Sequence, residues 1–226
     1  MPSPRHRLDA LLQRINTATR AAGRSDRVSL LAVSKTQSAD AIRALAGAGQ
    51  QAFGENYVQE AIAKQAALHD LPLQWHLIGH LQSNKAREAA QHFDWVHSVD
   101  RASVIDALAR HRPDTRAPLN LLIQVNIDSE DSKSGCRPEA IDELAARISQ
   151  HGTLCLRGLM AIPTPEHHPQ QRADSFSRMQ QAFVALRSTY SSIDTLSMGM
   201  SADFEQAISY GATMVRIGTA LFGPRE

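Results

Sequence analysis

The sequence predicts an α/β fold, a single TIM-like (β/α)8 barrel with an extra N-terminal helix, and three observations carry that prediction. Short apolar strands alternate with amphipathic helical patterns eight times along the chain, an alternation that builds right-handed βαβ units and a parallel sheet. The last strand pattern, Met214-Val215-Arg216-Ile217-Gly218, is apolar on every side of its arginine, as expected of a strand covered on both faces. The length of 226 residues suits one α/β barrel, so residues 1–226 are expected to form one domain. An open doubly wound sheet is the alternative, because about 250 residues are typical of a closed barrel.

The elements follow in order. Leu8, Leu11, Leu12, Ile15 and Ala18 recur at helical spacing ahead of Gly23 and read as a docked amphipathic helix. Strands are then expected at Val28–Ser34, Gln51–Gly54, Gln74–Gly79, Trp95–Val99, Leu119–Ile127, Leu154–Ile162, Thr195–Gly199 and Met214–Gly218. After the eighth strand only residues 219–226 follow, too few for a full covering helix, and the N-terminal helix is expected to close that gap. Pro163–Pro169, with His167 and His168, reads as a surface loop.

Composition narrows the function. The formal charge is +1, with 24 basic and 23 acidic residues interspersed along the chain; such a surface has no footprint for nucleic acid or an anionic membrane. No apolar run approaches the roughly 20 residues that span a bilayer, and the N-terminus lacks an apolar signal region. Cys136 and Cys155 are the only cysteines and have no CxxC or metal-ligand spacing, which suits a reducing compartment. The expectation is a cytoplasmic protein that handles a small molecule, with the two thiols as packing residues.

Barrel closure makes the first and eighth strands neighbours and brings all C-terminal strand ends to one rim, where ligands bind in this architecture. The apolar run Leu30 to Ser34 delivers Lys35 to that rim beside Arg216. The stretch 196–223 adds backbone N–H groups at Gly199 to Ser201 and Gly218 to Ala220, and hydroxyls at Ser201 and Thr219. Free amides at strand ends and helix starts attract anions, so the stretch reads as a phosphate site. Ser201 is also a candidate N-cap for a helix to about Tyr210. Asp203 and Glu205 fall in its first turn, where they oppose a phosphate unless they point away. A capped helix with two packing glycines and an arginine paired to a carboxylate remains the other reading. A lysine beside a phosphate site has two uses: pairing with a phosphosugar, or forming a Schiff base with an aldehyde such as pyridoxal phosphate.

With these residues in place, the chain resembles the pyridoxal phosphate homeostasis protein family, relatives of the alanine racemase barrel. The likeness runs through LLAVSK at 30–35, FGENYVQE at 53–60, WHLIGHLQSNK at 75–85, QVNIDSEDSKSG at 124–135, GLMAIP at 158–163, LSMGMSADFEQAI at 196–208 and VRIGTALFG at 215–223. It implies a barrel of the alanine racemase N-terminal type (fold type III) that carries or buffers pyridoxal 5'-phosphate in vitamin B6 homeostasis. It further implies that Lys35 forms the covalent aldimine, Asn56 approaches the cofactor, Arg216 faces the pyridine nitrogen, and Ser201, Gly218 and Thr219 hold the phosphate. Apo-enzymes that use pyridoxal phosphate are the implied recipients, and a monomer or weak homodimer the expected state.

Other groups are read more plainly. His76 and His80 have the spacing of a helical metal pair, but Gly79 and the strand pattern between them argue against a helix, so His76 is expected to pack or touch the rim. His97, at the end of strand four, reads as an acid or base or as a hydrogen-bonded structural histidine. Lys85 and Lys133 read as solvated. Two functions compete with the carrier: a pyridoxal-dependent racemase and a phosphosugar enzyme without cofactor. Racemisation needs a base on each face of the substrate carbon, and Lys35 serves one. Of Tyr57, Tyr190 and Tyr210, the last two fall in or near outer helices, and Tyr57 is expected to pack at the start of the helix after strand two. No catalytic residue and no metal site is therefore assigned.

Overall fold

The computed structural model describes residues 2–130, 133–163 and 169–223. The elements run α1 (Pro4–Ala21), β1 (Ser29–Val33), α2 (Ala39–Gly47), β2 (Ala52–Glu55), α3 (Val58–Ala67), β3 (Gln74–Leu77), α4 (Ala86–His92), β4 (Trp95–Val99) and α5 (Ala102–His111). They continue through β5 (Leu119–Gln124), α6 (Ile141–Ser149), β6 (Leu154–Met160), α7 (Pro169–Thr189), β7 (Thr195–Ser197), α8 (Phe204–Ser209), β8 (Met214–Ile217) and α9 (Thr219–Phe222). All eight predicted strands are present within a few residues of their expected bounds. They lie in chain order around a closed barrel, which excludes the open sheet. Closure is made by parallel pairing of β1 with β8, in a register that sets Leu31 against Arg216 and Ala32 against Ile217.

Helix α1 forms because Ser3 caps it, accepting a hydrogen bond from the His6 N–H at 3.2 Å, and Pro4 occupies the first turn where no backbone donor is needed. Its buried side, Leu8, Leu11, Ile15 and Thr19, packs on α8 and α9. Arg7 donates to the Leu221 carbonyl, and Arg14 pairs with Glu205 at 2.5 Å. The N-terminal helix thus covers the part of the barrel that the short α8 and α9 leave open, as the sequence predicts. Leu12 departs from its expected burial and is 36% exposed, because Thr19, whose hydroxyl donates to the Ile15 carbonyl at 2.8 Å, completes the packed side instead.

The main apolar core lies between the sheet and its helices, while Trp95, Leu122 and Met160 form a smaller cluster inside the barrel. Cys136 is buried and Cys155 half-buried, both as free thiols, and burial pushes the Cys136 thiol up to about 12, in keeping with a packing role. Of the predicted loop at Pro163–Pro169, residues 164–168 lie outside the described residues and Pro163 is buried. No helix among the described residues is long and apolar enough to cross a membrane.

One glycine is required by the register itself. The β5–β6 pairing slips between Leu121↔Leu156 and Leu122↔Gly158, and Gly158 adopts φ 146° with the Thr195 carbonyl oxygen 1.9 Å from where a Cβ would stand. We expect Gly158→Ala to lower the unfolding free energy by about 3 kcal/mol, since backbone must move on two strands. Urea unfolding checks this, and an unchanged midpoint would show that the two strands can separate freely.

Candidate functional site

Six residues singled out in the sequence, Lys35, Asn56, Ser201, Arg216, Gly218 and Thr219, line one cavity of about 210 Å³ at the C-terminal rim of the barrel. Val33, Ile78, Ile162, Met200 and Phe222 supply its apolar wall. Gln37 also lines it; sequence reasoning passed over this residue, because its place on the turn after Lys35 becomes visible only when that turn folds back over the rim.

Each of the six is placed by its strand. Lys35 sits two residues beyond the end of β1 and is half-buried. Arg216 is the third residue of β8, 4% exposed, and the pairing of β1 with β8 brings it alongside Lys35. Asn56 follows β2, and its carbonyl oxygen lies 2.2 Å from where a side chain on Gly79 would begin, so the rim closes over Asn56 only because residue 79 has no Cβ. Gly218 and Thr219 open the turn of α9, whose first N–H groups have no partner within the helix.

The turn that holds Ser201 differs from expectation. Asp203, not Ser201, stands at the N-cap position of α8, but its carboxylate makes no bond to the helix and instead accepts from the preceding Met200 N–H at 2.6 Å. The Met200 amide is therefore engaged, while Ser201 lines the cavity. Asp203 turns back on its own loop, close enough to Arg216 to raise its pKa, and Glu205 turns out to Arg14. Neither carboxylate lines the cavity.

Arg216 is held by oxygens rather than by a carboxylate, which corrects the plainer reading of the stretch. Its guanidinium donates to the Ser197 carbonyl at 2.7 Å, the Ser197 hydroxyl at 2.8 Å and the Ala161 carbonyl at 2.8 Å. Burial lowers its pKa to about 10, which leaves it charged at neutral pH. Its hydrogen-bond partners are neutral acceptors and the nearby Asp203 carboxylate offsets its charge only in part, and the charge that remains at the cavity wall favours an anionic ligand.

Behind Arg216 a hydrogen-bonded row crosses the barrel interior. The Ser197 hydroxyl lies 3.4 Å from His97 Nδ1, His97 Nε2 lies 2.9 Å from His76 Nδ1, and His76 Nε2 lies 3.1 Å from Gln74 Oε1. Gln74 presents its amide oxygen, which can only accept, to His76, so with both rings neutral the polarity of the row is set from that end. Ser197 accepts from Arg216 and donates to His97, His97 donates to His76, and His76 donates to Gln74. Each imidazole is then neutral with its proton on Nε2. Burial agrees, lowering His76 to about 3 and His97 well below the ordinary histidine value.

His97 is the middle of β4 rather than its end, and His76 packs fully buried inside the barrel, the first of its two expected places. His80 stands apart at the rim, 3.8 Å from Asp100, so the two histidines share no ligand. Tyr57 does not pack: it precedes α3 with 64% of its surface exposed, because nothing on the rim covers that position. Lys85 lies 3.5 Å from Glu88, and Lys133 lies 3.5 Å from Glu130, so each has an ion-pair partner.

The model of the alanine racemase N-terminal domain family matches residues 7–226. The pyridoxal phosphate homeostasis protein of Pseudomonas aeruginosa is 53% identical over 214 residues, which cover 94% of this chain and 92% of that protein. The chain belongs to the pyridoxal phosphate homeostasis protein family. The homeostasis protein of Escherichia coli K12 is 49% identical over 98% of this chain and 96% of its own length. Among solved structures, PipY of Synechococcus elongatus with bound pyridoxal phosphate is 38% identical, with a TM-score of 0.84 over 97% of this chain and the whole of PipY. The family thus accounts for the barrel and for the length of the chain together.

The buried histidines generate a pH signature. In the unfolded chain each binds a proton below about 6.5, while the folded chain keeps both neutral to lower pH. Their contribution is present in full above that value and is lost as pH falls through the acid range, at about 1.4 kcal/mol per pH unit for each. We expect the stability difference between the parent and a His76→Gln, His97→Gln double variant to shrink between pH 7 and pH 5. Urea unfolding at both pH values measures it, and a constant difference would mean that the imidazoles titrate in the fold as they do in the unfolded chain.

Proposed function

We propose that this protein binds pyridoxal 5'-phosphate through Lys35 and carries or buffers it for vitamin B6 homeostasis. When bound, pyridoxal phosphate supplies an aldehyde that condenses with an amine. Lys35 supplies that amine. Arg216 donates toward the pyridine nitrogen and so disfavours its protonation. Ser201, Thr219 and the Gly218 and Thr219 backbone hold the phosphate, and Asn56 steadies the ring from the β2 side. The apolar wall formed by Val33, Ile78 and Ile162 suits an aromatic ring.

The observation that carries this reading is the ionisable content of the cavity. Among the described residues that line it, Lys35 and Arg216 are the only ionisable ones, and no carboxylate is among them. A single amine beside a fixed cation suits an anionic aldehyde. It does not suit racemisation, which needs a proton donor on the opposite face; Tyr57, the one tyrosine near the rim, does not line the cavity. The relatives are named as homeostasis proteins rather than racemases. We read the barrel as one binding domain that works in the cytoplasm, with apo-enzymes as recipients.

The test joins spectrum and site. The protein loaded with pyridoxal phosphate should show a visible band that borohydride removes, and peptide mapping should find the added mass on Lys35. Lys35→Ala should abolish the band; label on Lys85 or Lys133 of the parent would overturn the assignment. The phosphate contacts predict that unphosphorylated pyridoxal binds at least about tenfold more weakly, because charge-assisted hydrogen bonds are about twice as strong as neutral ones. Equal binding of both, measured by titration, would remove the phosphate site from the reading.

A further inference from the structure

Directly behind Lys35 lies a buried charged cluster for which the carrier reading has no use. Glu55, the last residue of β2, is fully buried, and its Oε1 accepts from the Ser34 hydroxyl at 2.5 Å and from Lys64 Nζ at 2.8 Å. Lys64, 8% exposed on α3, donates also to the Ser34 carbonyl at 2.7 Å and to Glu60 Oε1 at 2.6 Å. All three protons of its ammonium thus have acceptors. Glu60 Oε1 in turn accepts from the Thr36 N–H at 2.6 Å. The cluster therefore grips the residue before Lys35 and the residue after it, and leaves the lysine side chain to the cavity.

The gripped corner is strained. Thr36 has φ 66°, in the left-handed region that a β-branched residue adopts only when its surroundings impose it. The Gln37 N–H donates to the Ser34 carbonyl at 3.0 Å and closes this corner as a turn with Thr36 in its third position, and the Glu60 carboxylate on the Thr36 N–H braces it. Burying Lys64 and Glu55 costs desolvation, and burial raises the Glu55 pKa. A core stabilised by apolar packing alone would be cheaper to build. Expensive buried charge that converges on the backbone around one reactive lysine fits preorganisation of that lysine.

We infer that Lys64, Glu55 and Glu60 are positioning residues for Lys35: they hold the Ser34–Lys35–Thr36 corner so that the amine meets the aldehyde carbon of the ligand. This rests on the carbonyl-binding reading above and deepens it. In the step they serve, the Lys35 nitrogen forms a bond to the aldehyde carbon, the carbonyl oxygen leaves as water, and the two hydrogens of that water balance those lost from the neutral amine as the imine forms. The cluster touches neither the phosphate contacts nor Arg216, so its effect should be confined to the covalent bond.

Two ligands separate the roles: pyridoxal 5'-phosphate, which has the aldehyde, and pyridoxine 5'-phosphate, which has an alcohol in its place and cannot condense. In Glu60→Ala, which removes the acceptor of Thr36 from a partly exposed site, we expect the rate of absorbance change on mixing with the aldehyde to fall about tenfold or more. Affinity for the alcohol should stay within about twofold of the parent. Glu60→Gln keeps an amide oxygen for the Thr36 N–H and should recover most of the rate. Lys64→Met, if it folds, should repeat the Glu60→Ala pattern more severely. Equal weakening of both ligands, or no change in the rate, would overturn the assignment to the cluster. A parent protein that binds aldehyde and alcohol equally and shows no absorbance change would instead overturn the carbonyl reading itself.

Discussion

The pairing of β1 with β8 is the constraint on which the site depends. Lys35 and Arg216 are far apart in sequence, and neither can form a site alone: an isolated amine at a strand end is solvated, and an isolated buried guanidinium is costly. The parallel register that sets Leu31 against Arg216 brings the two strand ends together. The same closure needs α1, because α8 and α9 are too short to cover the last two strands. The N-terminal helix, held by Arg7 on Leu221 and by Arg14 on Glu205, is therefore part of what keeps the cavity in shape.

The barrel deploys its buried polar groups in two separate systems. One runs inward from Arg216 through Ser197, His97 and His76 to Gln74, and every donor in it points the same way. With the Gln74 oxygen at its far end and both rings neutral the row has one proton arrangement, since reversing either imidazole would set two donors or two acceptors against each other. The arginine at its end is thus held as a donor of fixed direction. The other system, around Lys64, is ionic and grips backbone rather than extending a relay. Between them they place the guanidinium and the amine, the two charged groups of the cavity, from opposite sides and by independent contacts.

That arrangement suits binding with release. The cavity offers charge and hydrogen bonds to a phosphate and an amine to an aldehyde, yet lacks a second acid or base among the described lining residues. Chemistry beyond condensation needs that second group. Under the function proposed above, such a site would form and break a carbon–nitrogen bond with water and so hold a reactive aldehyde.

Much of this was legible in the chain. Strand periodicity and the eightfold alternation gave the barrel with its strand bounds, since alternation and apolar runs are local properties of a covered parallel sheet. Lys35, Ser201, Arg216, Gly218 and Thr219 were legible because each follows or ends a strand and strand ends share one rim, whereas Asn56 was legible only through the family resemblance. What lay beyond the sequence was every contact made at a distance. The N-cap position of α8 fell to Asp203 rather than Ser201 because the helix begins only at Phe204, and the Asp203 carboxylate turned back to the Met200 N–H instead of capping. His76 and His97 became neighbours only when β3 paired with β4 and both side chains turned inward. Lys64 read as an ordinary helix lysine, and only the docking of α3 on β2 placed it against Glu55 and Ser34. Local pattern determined which residues reach the rim; the packing of elements distant in sequence decided which polar groups they meet there, because hydrogen-bond partners are chosen by three-dimensional proximity and not by spacing along the chain.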